Sequence, residues 1–314
     1  MSACLVCGCD LFEPLFKASD RLYRTTTREF AVVRCRQCGL ARLDPQPAPE
    51  ELRLYYPETY WFRPDSSAAG RMEEAYRRLV LRGHVRFVEQ ALRHSRARGP
   101  LLDVGCGGGL FLGMMRARGF RVVGLDSSRE AAAIAWREQL APAVAADLEH
   151  APLRAQSLAG ITMFHVLEHL YDPRAFLTAA RDLLAPDGRL VVHTPNAASW
   201  QFHLLGRSWN GVDVPRHLFD FRDRDVAQLL ESCGYEVVRR KYFSLRDNPA
   251  GLAISLAPSL DPMARRVRRI AEGAAARLAK DLAHLALVVA ALPFTLAEAA
   301  FHAGSTVMIE ARRP

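Results

Sequence analysis

Apolar residues along the middle of the chain recur with two alternating periods. Short apolar runs at 101–104, 121–125, 143–146, 161–164 and 189–193 read as buried strands. Between them, apolar residues return every three or four positions, as on one face of a helix: a stretch ending at Arg118, a stretch over 128–139, and one opened by Asp172-Pro173. Asp172 is suited to cap that last helix, and Pro173 to its first turn, where a backbone N–H has no partner to lose. Strands separated by helices need crossover connections, and these put helices on both faces of a parallel sheet. The fold class expected is α/β, a doubly wound sheet. A helix over 223–233 and strands over 235–245 and 305–312 extend the same pattern.

The flanks break it. Residues 1–45 hold five of the seven cysteines and show little helical periodicity, and Asp44-Pro45-Gln46-Pro47-Ala48-Pro49 makes a stiff boundary after them. An aromatic linker over 46–71 carries Tyr55, Tyr56, Tyr60 and Trp61. Tyr76, Leu79, Val80, Phe87, Val88 and Leu92 then mark one amphipathic helix at the head of a core spanning 72–243. An insertion over 244–304 precedes the final strand in 305–314. Within it Met263, Val267, Ile270, Ala274, Leu278, Leu282 and Leu285 share one helical face, and Arg265, Arg266, Arg268, Arg269, Arg277 and Lys280 fall mostly on the other. The expectation is a packed helical hairpin with a solvated arginine face; a lid, a homodimer contact and a peripheral membrane contact are its open roles. The most apolar run, 282–297, is interrupted by His284, Pro293 and Thr295. It falls short of the roughly 20 apolar residues that a bilayer crossing needs.

Composition narrows the class. The chain has 314 residues, half of them apolar and 24% charged, enough for a large α/β core with an appendage. A net charge of +8 excludes an acidic solvating protein and is compatible with nucleic acid, an anionic membrane surface or a phosphorylated substrate. Nearly all of the cationic charge is arginine, with lysine only at positions 17, 241 and 280. The N-terminus carries cysteines where a secretory leader would carry a basic patch and an apolar run, so a cytoplasmic location with reduced or metal-bound thiols is expected.

Candidate chemistry begins at the first predicted turn, Gly105-Cys106-Gly107-Gly108-Gly109. Glycines there let a ligand approach the backbone at a helix N-terminus rich in N–H donors. A dinucleotide fingerprint would need glycine at the sixth position from Gly105, and Leu110 stands there. Asp126 ends the second strand, where a carboxylate can accept both hydroxyls of a ribose, and Asp147 follows the third. In these residues the sequence resembles the class I S-adenosylmethionine (SAM)-dependent methyltransferases. The resemblance implies a Rossmann-like seven-stranded sheet with an antiparallel last strand. It places Asp103 and Gly105 at the methionine end of SAM, Asp126 at the ribose, and Asp147 with Leu148 at the adenine, with Gly107 and Gly109 also binding the cofactor.

Cys4-Leu-Val-Cys7 and Cys35-Arg-Gln-Cys38 are two Cys-x-x-Cys pairs, each followed by glycine. Two such knuckles can supply four thiolates to one tetrahedral zinc ion, a structural site by default. Cys9 stands close enough to be an alternative ligand. The ribbon's arginines are not interleaved with enough aromatics for a base-stacking platform, so nucleic acid is not the expected partner; an RNA methyltransferase reading its substrate through the ribbon is the rival.

His165-Val-Leu-Glu168-His169 leaves the fourth core strand at its C-terminal end, where ligands bind in such sheets. On a helical turn His165, Glu168 and His169 would share a face, and His217 follows in Pro215-Arg216-His217. Three readings stay open: histidine general bases, a second divalent metal held by His165, Glu168, His169 and His217, and bracing of loops. The stretch looks like the metal-binding Glu-x-x-Glu-His motif of quinone-ring and small-RNA O-methyltransferases, with His165 in place of the first glutamate. The pattern with Thr194-Pro195-Asn196, Trp209 and Phe219 is similar to bacterial methyltransferases that carry an N-terminal ribbon and are associated with glycans or secondary metabolites. That implies O-methylation of a small hydroxylated molecule, a sugar or a lipid-linked glycan, with a SAM-binding protein without turnover as a further alternative.

Overall fold

The computed structural model describes residues 3–56 and 68–314; Tyr60 and Trp61 lie outside them. The N-terminal segment forms strands β1 (Phe12–Ser19), β2 (Glu29–Cys35) and β3 (Ala41–Leu43) and a short helix α1 (Pro49–Arg53). Then come α2 (Ala68–Arg93), β4 (Leu101–Val104), α3 (Leu110–Arg116), β5 (Val122–Asp126), α4 (Arg129–Gln139), β6 (Ala143–Ala145), β7 (Leu158–Phe164), α5 (Pro173–Leu183) and β8 (Leu184–Pro195). The remainder is α6 (Trp200–Leu205), β9 (Phe219–Asp220), α7 (Asp223–Ser232), β10 (Glu236–Lys241), α8 (Asn248–Leu256), α9 (Pro262–Val267), α10 (Ala274–Ala300) and β11 (Thr306–Arg312).

The chain divides into two compact units. One contains the run from α2 through Thr194 with residues 227–246 and 308–314, and it carries a seven-stranded sheet in the order β10-β11-β8-β7-β4-β5-β6. Strands β8, β7, β4, β5 and β6 pair in parallel, and β11 is antiparallel to β10 beside β8, as expected for a Rossmann-like methyltransferase sheet. All four residues of β4 are buried, as a strand covered on both faces requires. Leu81, Val85, Val88 and Ala91 of α2 join Leu101, Phe111, Met115 and Val122 in its core. The predicted cap forms, Asp172 Oδ1 accepting the N–H of Ala175 at 2.9 Å; Ser128 Oγ likewise accepts that of Ala131 at 3.2 Å, a cap the sequence reading did not name.

The other unit joins the N-terminal segment to residues 195–226 and 247–307. Its sheet has the order β1-β2-β3-β9, with β1 and β2 the hairpin that separates the two cysteine pairs. Asn196, just after β8, fixes the turn: its Nδ2 donates to the Gly304 carbonyl at 3.0 Å, and its Oδ1 accepts from Ala198 and Asp223.

The insertion differs from expectation. The helix read over 262–285 is broken after Val267: Arg269 turns to φ +50°, and a new helix starts past Gly273. Arg265 ties the two pieces together by pairing with Glu272 at 2.8 Å and with Asp281. Met263 and Val267 do pack, with Leu22 and Tyr23, but Leu278, Leu282 and Leu285 are exposed. The solvated face of α10 is therefore apolar, not the arginine face that was expected. The apolar element is also longer than the run 282–297 implied: α10 has 27 residues, long and apolar enough by length and composition to cross a bilayer. Pro293 does not end it. Helix α8 escaped notice because its sequence is apolar nearly throughout and has no amphipathic period.

Candidate functional site

The glycine turn lies between β4 and α3. Gly105, Gly107 and Gly109 have φ of +70°, +51° and +74°, a region that side chains with a Cβ avoid. A Cβ at Gly105 would come within 2.9 Å of Val166 Cγ2, and one at Gly109 within 2.7 Å of Ala135 Cβ. At Gly107 it would meet none of the described residues within 4 Å. Two of the glycines thus permit packing, while Gly107 faces open space where a ligand can reach the backbone.

Strand register carries the acidic residues to the same edge. Asp103 stands opposite Gly124 and Thr162, and Asp126 opposite Ala145, so all lie near the carboxyl ends of parallel strands. Asp126 is buried; its Oδ2 accepts the Gly107 N–H at 2.9 Å and its Oδ1 the Ser128 N–H at 2.8 Å. Burial holds its carboxyl above the usual range against those two bonds. Asp103 is buried as well, and burial pushes it up to about 7, although Thr162 Oγ1 donates to its Oδ1 at 2.6 Å. Two residues past β6, Asp147 is exposed and the next residue, Leu148, is buried. This edge thus brings together a buried carboxylate, a glycine backbone and an exposed carboxylate.

His165 sits where β7 ends, at φ +55°, with its N–H on the His193 carbonyl at 2.8 Å. Leu167–His169 form a 3-10 turn rather than the α-helical turn expected, and His165 lies just before it. His165 and Glu168 nevertheless meet, Nδ1 to Oε1 at 3.2 Å, with Glu168 buried. A carboxylate accepts only, so Nδ1 carries the proton and Nε2 is the basic nitrogen. His169 and Glu168 each offer a ligand atom within 4.8 Å of one another.

His217 belongs to the other unit, where its Nδ1 lies 2.8 Å from the Gly211 carbonyl. Its neighbour Arg216 is fully buried between Asp20 and Asp213. Tyr55 is structural in the same unit: its hydroxyl donates to Glu51 at 2.6 Å and its ring meets Phe30 edge-on.

The four predicted thiols converge. Cys4 and Cys38 Sγ are 3.5 Å apart, Cys7 and Cys35 Sγ 3.6 Å, and all four lie within 4.8 Å of one another. Sulfurs about 2.3 Å from a tetrahedral zinc would stand about 3.8 Å apart, so the donor set fits that ion. Gly8 and Gly39, at φ +74° and +83°, turn each knuckle inward and donate to the Cys4 and Cys35 carbonyls. Cys9 is not in the cluster; its sulfur accepts the Leu11 N–H.

Two residues near the site were not singled out from sequence. Thr162 lies in the middle of an apolar run and reveals itself only as the donor to Asp103. His84 is buried on α2, with its Nε2 3.2 Å from His193 Nδ1 and its ring edge-on to Phe164. The signal was present: His84 stands four residues from both Val80 and Val88, a polar residue in the apolar stripe of its helix.

The chain is similar to known methyltransferases. The family model of a methyltransferase domain matches residues 71–240. Over 171 residues the chain is 30% identical to the ubiquinone biosynthesis O-methyltransferase of Salmonella paratyphi A, spanning 51% of this chain and 71% of that one. The enzyme of the same description from Cronobacter sakazakii is 31% identical over 173 residues, 51% of this chain and 70% of its own. A SAM-dependent methyltransferase from Archaeoglobus fulgidus is similar in structure, with a TM-score of 0.48 at 18% identity, covering 78% of this chain and 100% of that one.

Proposed function

The chain belongs to the SAM-dependent methyltransferases, and from that premise we propose that it methylates a hydroxyl oxygen of a small acceptor, with a histidine as general base. The observation that carries this reading is the His165–Glu168 pair at the carboxyl end of β7, in a chain similar to O-methyltransferases. Asp126 is the ribose acceptor, Asp103 with Gly105, Gly107 and Gly109 serves the methionine end, and Asp147 with Leu148 serves the adenine. The acceptor oxygen attacks the methyl carbon, the C–S bond breaks with its electron pair left on sulfur, and the hydroxyl proton passes to His165 Nε2. A methyl ether and S-adenosylhomocysteine result. The sulfonium is already activated, so alignment and proton removal are what the protein supplies. Glu168 holds the imidazole in the tautomer that accepts the proton, and His169 and His217 are the further candidates for base.

Cys4, Cys7, Cys35 and Cys38 would hold a zinc ion that contributes folding energy to the ribbon rather than chemistry. The acceptor class is a hydroxylated small molecule, a sugar or a lipid-linked glycan.

The test begins with calorimetric titration of S-adenosylhomocysteine into the protein and into Asp126→Ala. Micromolar binding, about −8 kcal/mol, lost in the variant is expected. Labelled SAM is then offered with a panel of catechols and sugars and, separately, with bulk tRNA. Methyl ether formed on a small hydroxylated compound should fall about 10²- to 10⁴-fold in His165→Ala with binding of S-adenosylhomocysteine intact. Label on tRNA instead, or cofactor binding without turnover across the panel, would overturn the acceptor or the enzymatic reading in turn.

A further inference from the structure

The outward side of α10 has no charge along most of its length. Leu278, Leu282, Leu285, Val289, Leu296 and Phe301 are all exposed, and the exposed positions between them are alanines and Pro293. From Leu278 to Phe301 this stripe runs roughly 35 Å at about 1.5 Å per residue. Contiguous apolar surface of that extent marks a place where water is meant to be excluded.

The inward side says how the helix is held. Val288, Ala291, Thr295 and Glu298 are buried. Both Glu298 oxygens are used, accepting the Gln201 N–H at 2.9 Å and its Nε2 amide at 2.8 Å. Threading α10 across a bilayer would strip that carboxylate of its donors, at a cost that forbids it. The helix therefore stays packed and presents its other side.

We propose that this side of α10 docks in the plane of an anionic lipid bilayer surface. Charge complementarity selects that partner. The exposed arginines Arg266, Arg269 and Arg277 fall in sequence at or just before the N-terminal end of the stripe; Asp281, the acidic residue there, is already engaged by Arg265 and lies 4.0 Å from Arg277, and no exposed position from Leu282 to Phe301 is acidic. Cations in excess of that one carboxylate, beside an apolar stripe, favour a partner that brings negative charge, and anionic lipid headgroups supply it beside an apolar layer. At the other end Trp200 lies 5.4 Å from Phe301 and 6.1 Å from Phe294, an aromatic cluster of the kind that settles at the headgroup level. The proposal does not depend on methyl transfer.

Flotation with vesicles of phosphatidylcholine alone, and of phosphatidylcholine with phosphatidylglycerol, tests it on the full-length protein. Binding to the anionic vesicles is expected, weakening as salt is raised. Leu282→Glu combined with Val289→Glu should lower it at least tenfold, and Arg269→Ser with Arg277→Ser about fivefold per cation on anionic vesicles only. Unchanged binding of S-adenosylhomocysteine by each variant reports an intact fold. Wild-type protein left unbound by anionic vesicles, or glutamate variants that bind as well as wild type, would overturn the proposal. A solution dimer that the glutamate pair dissociates, without vesicle binding, would assign the face to a second copy instead.

Discussion

Asp20 and Arg216, 196 positions apart, form an ion pair with no solvent exposure of either side chain. Nη2 meets Oδ1 at 2.9 Å and Nη1 meets Oδ2 at 3.1 Å, while Asp213 takes the other edge of the guanidinium at 2.5 Å and the Tyr23 ring lies 4.5 Å from its carbon. Asp20 also accepts from the N–H groups of Tyr23 and Thr25 and from the Thr25 hydroxyl. The loop after β1 and the segment before β9 are thus joined by one satisfied polar cluster.

Removing the cation from that cluster leaves the fully buried Asp20 carboxylate and the largely buried Asp213 carboxylate without it. Arg216→Ala is expected to cost about 3–5 kcal/mol, read by denaturant unfolding of a zinc-loaded sample. Burial opposes ionisation of Asp20, but its bonds to Arg216 prevail and hold the carboxyl below its ordinary 3.8. Its contribution is then complete above that value and lost as pH falls through the depressed folded value. Asp20→Asn should flatten the acid limb of the stability profile; an unchanged limb would remove Asp20 from the account.

Asp103 works with the opposite sign. Burial raises it from 3.8 to about 7, so the folded protein holds a proton there that the unfolded chain has released. Stability should decline as pH rises from about 4 through 7, and Asp103→Asn should abolish that slope. If Asp103 faces the ammonium of the methionine tail, the ligand selects its ionised form. Affinity for S-adenosylhomocysteine should then be about tenfold weaker at pH 6 than at pH 8. A flat affinity profile would place Asp103 away from the ligand.

Gly107 and Gly109 should respond differently to the same change. Gly109→Ala combines a left-handed backbone with a clash on Ala135 and should cost about 2–5 kcal/mol of stability. Gly107→Ala meets no neighbour among the described residues, so about 1–2 kcal/mol is expected. Its methyl group would instead stand where the ligand approaches, weakening S-adenosylhomocysteine at least tenfold. Calorimetry and thermal unfolding of the two variants separate packing from binding.

Metal content tests the ribbon. One zinc per chain is expected by elemental analysis, falling to near zero in Cys35→Ser, whereas Cys9→Ser should retain it. Equal loss in both variants would bring Cys9 into the ligand set.

Local spacing alone determined much of this protein. The order of strands and helices from β4 to β8, the caps at Ser128 and Asp172, the glycine turn and the paired cysteines depend on interactions that close within a few residues, so the chain states them directly. Parallel register then carried Asp103 and Asp126 to one edge without further instruction. Tertiary structure decided what each surface meets. The same period runs through Met263, Val267, Leu278 and Leu282, yet the first two found Leu22 and Tyr23 and the last two face outward. His84 was paired with His193 by the packing of α2 on the sheet, 109 residues away in sequence. Periodicity reports that a face is apolar; only the assembled chain determines whether anything is there to cover it.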